Sequence, residues 1–296
     1  MPYHFKKEEP LTRAIRRMFC ERLDAALESL RGKDRMKAVH DVRREIKKLR
    51  ALLRLMRGEI GRKVYRRNNL ALREAAERLT DMRDAQVRLN ALERLARHFS
   101  RRLPERPFPK IKRALRENCR VVERAFVRAH SPGGVAKIFR ELNRRANDLK
   151  IGSKGWEAVC PGLNAAFCRA QETFKTAQKK SSPENLHEWR KRVKVLWYHT
   201  RLLGSVWPQE ARATADELES LGALLGDDHD LVMLAEFAAE HANGTGESDT
   251  LKELVSMRRK ELRSKALKIG RRFFAEKPPD FCRRLGNYWK IWRSEG

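Results

Sequence analysis

Apolar residues recur along most of this chain at steps of three and four, and no alternating run with turn signals interrupts them, so the pattern predicts helices and no sheet. The clearest stretch runs from Val39 to Arg57, where Val39, Val42, Ile46, Leu49, Leu53 and Met56 fall on one apolar stripe. A neighbouring face of the same helix is basic. His40, Arg43, Lys47, Arg50, Arg54 and Arg57 follow steps of three or four, about 5 Å apart along the axis at 1.5 Å of rise per residue. Before this stretch, a first helix opens at Pro10 and carries Leu11, Ile15, Met18, Phe19, Leu23, Leu27 and Leu30 before Gly32 ends it. After it, the spacing predicts one long third helix from Lys63 to Phe99. Pro104, Pro107 and Pro109 break the chain, and a fourth helix from Lys110 to His130 turns Ile111, Leu115, Cys119, Val122 and Phe126 inward, with Arg113, Arg116, Arg120 and Arg124 beside them. A weaker helical pattern from Val135 to Gly155, with Gly152, Ser153 and Gly155 at its end, reads as a linker.

Beyond that linker the same plan recurs. A constant offset of 147 places His40 on His187, Arg43 on Arg190, Arg44 on Lys191, Lys47 on Lys194 and Arg54 on Arg201. The third helices align at 146, with Leu79 on Leu225, Asp81 on Asp227 and Asp84 on Asp230. The fourth helices return to 147, pairing Arg116 with Arg263, Arg124 with Arg271 and Phe126 with Phe273, while Arg113 meets Lys260. Agreement of core and basic positions over three segments indicates a tandem repeat. The expected architecture is therefore all-α, a tandem repeat of two four-helix bundles, with residues 8–130 as the first half, 131–155 as the linker and 156–276 as the second half. The aromatic tail, 277–296, is expected to pack back on the second half.

Composition narrows the partner. Lys and Arg number 67 against 39 Asp and Glu, a formal net charge of +28, far beyond what solubility needs. Such an excess calls for a polyanion: nucleic acid, an anionic membrane surface or polyphosphate. No apolar run reaches the length of a membrane span, the N-terminus lacks a signal-peptide core, and five cysteines without a CxxC pair read as free thiols in a reducing compartment. The expected setting is cytoplasmic, without membrane insertion.

The paired stretches VHDVRREIKKLRALLRL and LHEWRKRVKVLWYHTRLL resemble the two signature helices of the CHAD family, the conserved histidine α-helical domain. The segments LTDMRDAQVRL and LLGDDHDLVML resemble that family's Leu-Gly-x-x-x-Asp-Leu element, the second more closely. The resemblance spans about Glu8 to Glu276. It implies two four-helix bundles related by a pseudo-two-fold, a basic cavity or channel between them, and binding of inorganic polyphosphate with no catalytic role and no cofactor. Targeting to polyphosphate granules, storage and regulation of a polyphosphate enzyme are the purposes it leaves open.

The candidate polyphosphate contacts are His40, Arg43, Arg44, Lys47, Arg50, Arg54, Arg113, Arg116, Arg120 and Arg124 in the first half, and His187, Arg190, Lys191, Lys194, Arg201, Lys260, Arg263 and Arg271 in the second. A row of Arg and Lys suits a flexible polyanion, because Arg supplies planar multi-donor contacts and Lys a point charge. The second copy departs from the pattern at Trp197 and Val195, which stand where the first has Arg50 and Lys48. Residues 36–57 carry eight cations against two acids, and residues 183–203 five against two, which tilts the expected site toward the first half. His40 and His187 are expected to contact phosphate or support its network, with a packed histidine and a metal ligand as alternatives; no HxxxH, HExxH or Cys pair accompanies them. Asp84 and Asp230 are expected to pair with Arg across the bundle. Non-sequence-specific binding of RNA or DNA is the competing reading, with Trp197 the one aromatic placed to stack on a base. A metal-assisted phosphohydrolase using the two His and two Asp residues is the enzymatic alternative; phosphate-loop, dinucleotide and nucleophile-elbow motifs are missing.

Overall fold

The computed structural model describes residues 3–241 and 246–295. Among them the chain forms α1 (Leu11–Leu30), α2 (Arg35–Leu55), α3 (Arg62–Glu77), α4 (Thr80–His98), α5 (Pro109–Arg128), α6 (Ser131–Arg144), α7 (Trp156–Lys179), α8 (Pro183–Leu202), α9 (Pro208–His241), α10 (Gly246–Phe273) and α11 (Pro278–Ser294), with short 3-10 turns at 100–102 and 146–148 and no strand. The all-α class read from the periodicity is what forms.

Local chemistry fixes the starts of the two basic helices. The Asp34 carboxylate accepts the Lys37 backbone N–H at 3.0 Å and caps α2. Ser182 caps α8 through the Asn185 N–H at 3.3 Å, and Pro183 fills the first turn, where its missing N–H has no intrahelical partner to lose. Val42, Ile46, Leu49 and Leu53 of α2 and Leu186, Trp189, Val193 and Leu196 of α8 are then almost fully buried, and the two helices pack against each other.

The expected third helix is two. The chain turns at Arg78 and Leu79, so α3 packs on α2 and α6 while α4 swings away to pack on α5 and α9. Neither residue is Gly or Pro, so nothing in the spacing marks the break. The carbonyl of Ala76 at the end of α3 accepts from the Leu79 N–H at 3.2 Å, from Thr80 Oγ1 at 3.1 Å and from Arg43 Nη1 at 2.9 Å. The segment read as a linker also differs, because residues 131–144 form α6, which buries Val135, Phe139 and Leu142 against α1 and α3. Buried apolar contacts make it part of the core rather than a connection. Nor is the core divided at that point. One cluster joins α1, α2, α3 and α6 to α7, α8, α11 and the first part of α9. A smaller one joins Ala91 to Leu115 of the first half to Leu231, Leu234, Phe237 and Leu251 to Leu262 of the second. The tail forms α11, and Phe281, Leu285 and Trp289 pack it on α7.

The backbones of α7 and α2 approach closely at Gly162. A Cβ at Gly162 would overlap the Leu55 carbonyl, so only glycine lets the backbones come together there. Gly162→Ala is expected to destabilise the fold by about 3 kcal/mol, the upper end of ordinary overpacking. A urea or thermal melt with an unchanged midpoint would show that this contact does not hold the halves together.

Candidate functional site

Helices α2, α4 and α8 bring five cations of the chain into one group: Arg43, Lys47, Arg83, Arg190 and Lys194. Lys47 is at its centre. Lost hydration, reinforced by the charges of Arg190, Arg43, Arg83 and Lys194, pushes its pKa down to about 7. The side chain is nevertheless open to solvent. The five side chains thus form a positively charged cluster where α2, α4 and α8 meet. Burial likewise lowers Arg43 and Lys194, each with Arg190 as a neighbouring like charge.

The frame around these side chains is specific. Arg43 is held by the Ala76 carbonyl and by Thr80 Oγ1 at 3.1 Å. Arg190 and Lys194 lie against α9 where it carries Gly226 and Gly222. A Cβ at Gly222 would come within 2.9 Å of Lys194 Cε, and one at Gly226 within 3.4 Å of Arg190 Nε. The four-residue spacing of the glycines on α9 thus matches that of the cations on α8. Arg190 Nε is buried without a hydrogen-bond partner.

Two carboxylates stand beside the five cations. Burial raises the pKa of Asp84 and Asp230, opposed chiefly by Arg43 for the first and Arg190 for the second. Asp230 reaches Arg94 at 2.8 Å, an ion pair between α9 and α4 of the kind expected for these residues. Asp84 has Arg43, Arg88 and Arg83 as its charged neighbours.

His40 is exposed at the start of the cationic row, its pKa lowered by burial of the ring's surroundings and by Arg83. The His187 ring lies 4.0 Å from that of His229. Burial pushes both down to about 4, helped by each ring's cationic neighbours, Lys191 and Arg190. At neutral pH both rings are uncharged, and each offers one donor and one acceptor rather than a positive charge. Glu188, Asp228 and Arg259 are the other charged groups facing the pair. The unfolded chain protonates these rings near pH 6.5 and the folded chain only near 4, so the stability they allow is lost as pH falls between those values. His229→Asn is therefore expected to flatten the drop in melting temperature between pH 7 and pH 5, read by circular dichroism; an unchanged drop would mean the pair does not titrate in this way.

The remaining predicted residues lie elsewhere. Arg50, on the same face of α2 one turn beyond Lys47, donates to Asn69 Oδ1 at 3.1 Å, and burial with Arg54 and Arg73 nearby takes its pKa to about 10. Arg54 faces a different cavity, toward Arg192 and Arg169. Arg44 pairs with Asp41 at 3.1 Å and Lys191 with Glu188 at 3.2 Å. Arg113, Arg116 and Arg120 line a groove of about 980 Å³ between α4, the proline-rich loop and α5. Arg124 belongs to a neighbouring concavity with Arg35 and Arg128. On α10, Arg263 is engaged by Asp228 at 3.1 Å, and Lys260 and Arg271 are exposed. The tilt toward the first half is weakened, because Lys48 is buried on Glu45 at 2.7 Å and is no part of the row. Trp197 is also reassigned. It is only 9% exposed, with Lys194 Nζ 4.6 Å and Arg201 4.9 Å from its ring centre; the ring is a platform for the cations and is closed to a base.

Sequence reasoning missed Arg83, His229 and the two glycines. Arg83 lies between Asp81 and Asp84, off the basic stripes that the spacing marks; Gly222 and Gly226 repeat the Arg190 to Lys194 interval, a signal without meaning until α8 is known to lie on α9.

The chain matches no curated protein. In its fold it is similar to PptA from Streptomyces chartreusis, with a TM-score of 0.65 at 15% identity over 90% of this chain and 100% of that one. The CHAD domain profile matches residues 13–239, more than three quarters of the sequence and all of the cationic cluster, and the chain accordingly belongs to the CHAD domain family.

Proposed function

We propose that this protein binds inorganic polyphosphate at the cationic cluster of α2, α4 and α8, as a non-catalytic module. The observation that carries this reading is Lys47 surrounded by Arg43, Arg83, Arg190 and Lys194, with two nearby carboxylates to offset them. Binding polyphosphate is a known role of the family. A polymer with roughly one negative charge per phosphate matches such a group without any base-reading contact. Arg43 with Arg190 and Lys47 with Lys194 occupy matching positions of the sequence repeat, which supports a two-fold site supplied equally by both halves. The setting that follows is a cytoplasmic protein associated with polyphosphate granules. Nucleic acid is the competing polyanion, and the burial of Trp197 counts against base stacking. The phosphohydrolase reading has less support: among the described residues, no three His, Cys, Asp or Glu side chains converge as metal ligands.

Polyphosphate of graded length is expected to outcompete single- and double-stranded nucleic acid at equal phosphate concentration near physiological salt; the reverse order would remove the ligand assignment. Arg43→Ala with Arg190→Ala should weaken binding by at least tenfold while helical circular dichroism is kept. Polyphosphate favours the protonated form of Lys47, whose pKa in the free protein is about 7, so affinity should rise as pH is lowered from 9 to 6. Lys47→Met should remove most of that dependence in a fluorescence titration.

A further inference from the structure

Beyond the cluster at Lys47, α2, α3, α7 and α8 border a second cavity of about 330 Å³. Four arginines line it: Arg54 from the last turn of α2, Arg57 just after that helix, Arg169 of α7 and Arg192 of α8. No Asp or Glu is among the lining residues. Arg54 is partly desolvated, which lowers its pKa, with Arg192 and Arg169 as like-charged neighbours and Tyr65 as a hydrogen-bonding one. The Arg57 guanidinium covers the Tyr65 ring at 4.9 Å from its centre, so one tyrosine of α3 steadies two of the four cations. Arg192 pairs with Glu188, which stands outside the wall. Arg169 makes no ion pair or side-chain hydrogen bond among the described residues.

These cations carry a cost that an outer basic face does not. Arg113, Arg116 and Arg120 of α5 are exposed and keep their hydration, whereas Arg54 and Arg192 are partly buried beside like charge, which nothing on the wall offsets. Arg57 and Arg169 are exposed, so the cavity is reached from solvent past them. An entering anion meets all four.

The wall also restricts what kind of anion fits. Arginine only donates. His199 is completely buried, with Nε2 2.9 Å from the Ala51 carbonyl oxygen and an Nδ1 that has no exposed surface, so it presents nothing to a ligand. Pro161, Ala165, Ala166 and Val195 bring no polar side-chain group. A ligand with hydroxyls or amides would leave those donors unmatched here, at a cost; an anion whose oxygens all accept would not. The volume is at the lower end of small-molecule sites, which favours a compact one. A single phosphate group carries about two negative charges at most at neutral pH, fewer than the cations on the wall, and two linked phosphates come closer. We propose that this cavity is a separate site for inorganic pyrophosphate, held among Arg54, Arg57, Arg169 and Arg192. The two end phosphates of a polyphosphate chain present the same chemistry, and the experiment below separates the two sources. The proposal does not rest on the assignment of polyphosphate to the Lys47 cluster.

Isothermal titration calorimetry at fixed salt tests this on the full chain carrying Arg43→Ala and Arg190→Ala, which weakens the other cationic group. One pyrophosphate per chain is expected to bind, about tenfold more tightly than orthophosphate or sulfate. Adding Arg169→Ala, at an exposed position, should weaken it by about tenfold, a typical loss for a hydrogen bond to a charged group. Ala165→Trp, also exposed, should fill the cavity and abolish binding. Pyrophosphate that fails to bind, or that binds undiminished to the Arg169→Ala and Ala165→Trp proteins, overturns the proposal. The same two replacements in the otherwise unaltered chain give the reading if the Arg43→Ala, Arg190→Ala protein does not fold. Long-chain polyphosphate should keep its affinity for the Arg169→Ala protein; a loss as large as that of pyrophosphate would make the cavity part of the polyphosphate track and overturn a separate site.

Discussion

The arrangement rests on like charges forced together by apolar packing. Arg43, Lys47, Arg190 and Lys194 repel one another, and two unit charges roughly 8 Å apart do so by about 2 kcal/mol at an effective dielectric near 20. Left to themselves, α2 and α8 would part. What holds them is the other face of each helix, where Val42, Ile46, Leu49 and Leu53, and Trp189, Val193 and Leu196, are buried, each such side chain contributing about 1.5–3 kcal/mol relative to exposure. The cationic face is therefore a strained surface maintained by the dry face behind it. A depressed lysine pKa is the electrostatic signature of that strain.

The same constraint explains why the supporting helices look as they do. Arg190 and Lys194, both partly exposed, run against α9, which offers them bare backbone at Gly222 and Gly226. Arg43 is kept in the cluster by the break between α3 and α4, which frees the Ala76 carbonyl to accept from it. Here a defect in a helix and the orientation of Arg43 are one interaction. The break also sends α4 across to α9, carrying Arg83 to the cations of α2 and α8.

How much of this was legible follows from what spacing encodes. Spacing reports which residues share a helix face, and the face that holds Val42, Ile46 and Leu49 is buried as read. It does not report what lies opposite. Arg43 and Arg54 share a face of α2, yet at 1.5 Å per residue they are about 16 Å apart along the axis, far enough for α4 and α8 to surround one while α3 and α7 surround the other. The basic stripe was thus found whole, and its division between the Lys47 cluster and a separate cavity was not. The turn at Arg78 and Leu79 escaped for a related reason: the residues that stabilise it, Arg43 and Thr80, include one from another helix. The helix at 131–144 starts with Pro132, Gly133 and Gly134, residue types that break a helix interior but here fall in the first turn, where lost N–H bonds matter least.

The two stretches of α2 also differ in what surrounds them. Around Lys47 the surplus is charge and donors: five cations, a buried Arg190 Nε with no hydrogen-bond partner, and histidines held neutral beside them. A polymer of acceptors, the ligand proposed above, would meet that surplus at every repeat, and its binding would relieve repulsion built into the free fold, so ligation and stability would rise together. In the second cavity Arg54, Arg57, Arg169 and Arg192 share the wall with apolar Ala166 and Val195, and no carboxylate lines it. Charge count alone would merge these two groups into one basic surface; the helices packed around each keep them apart.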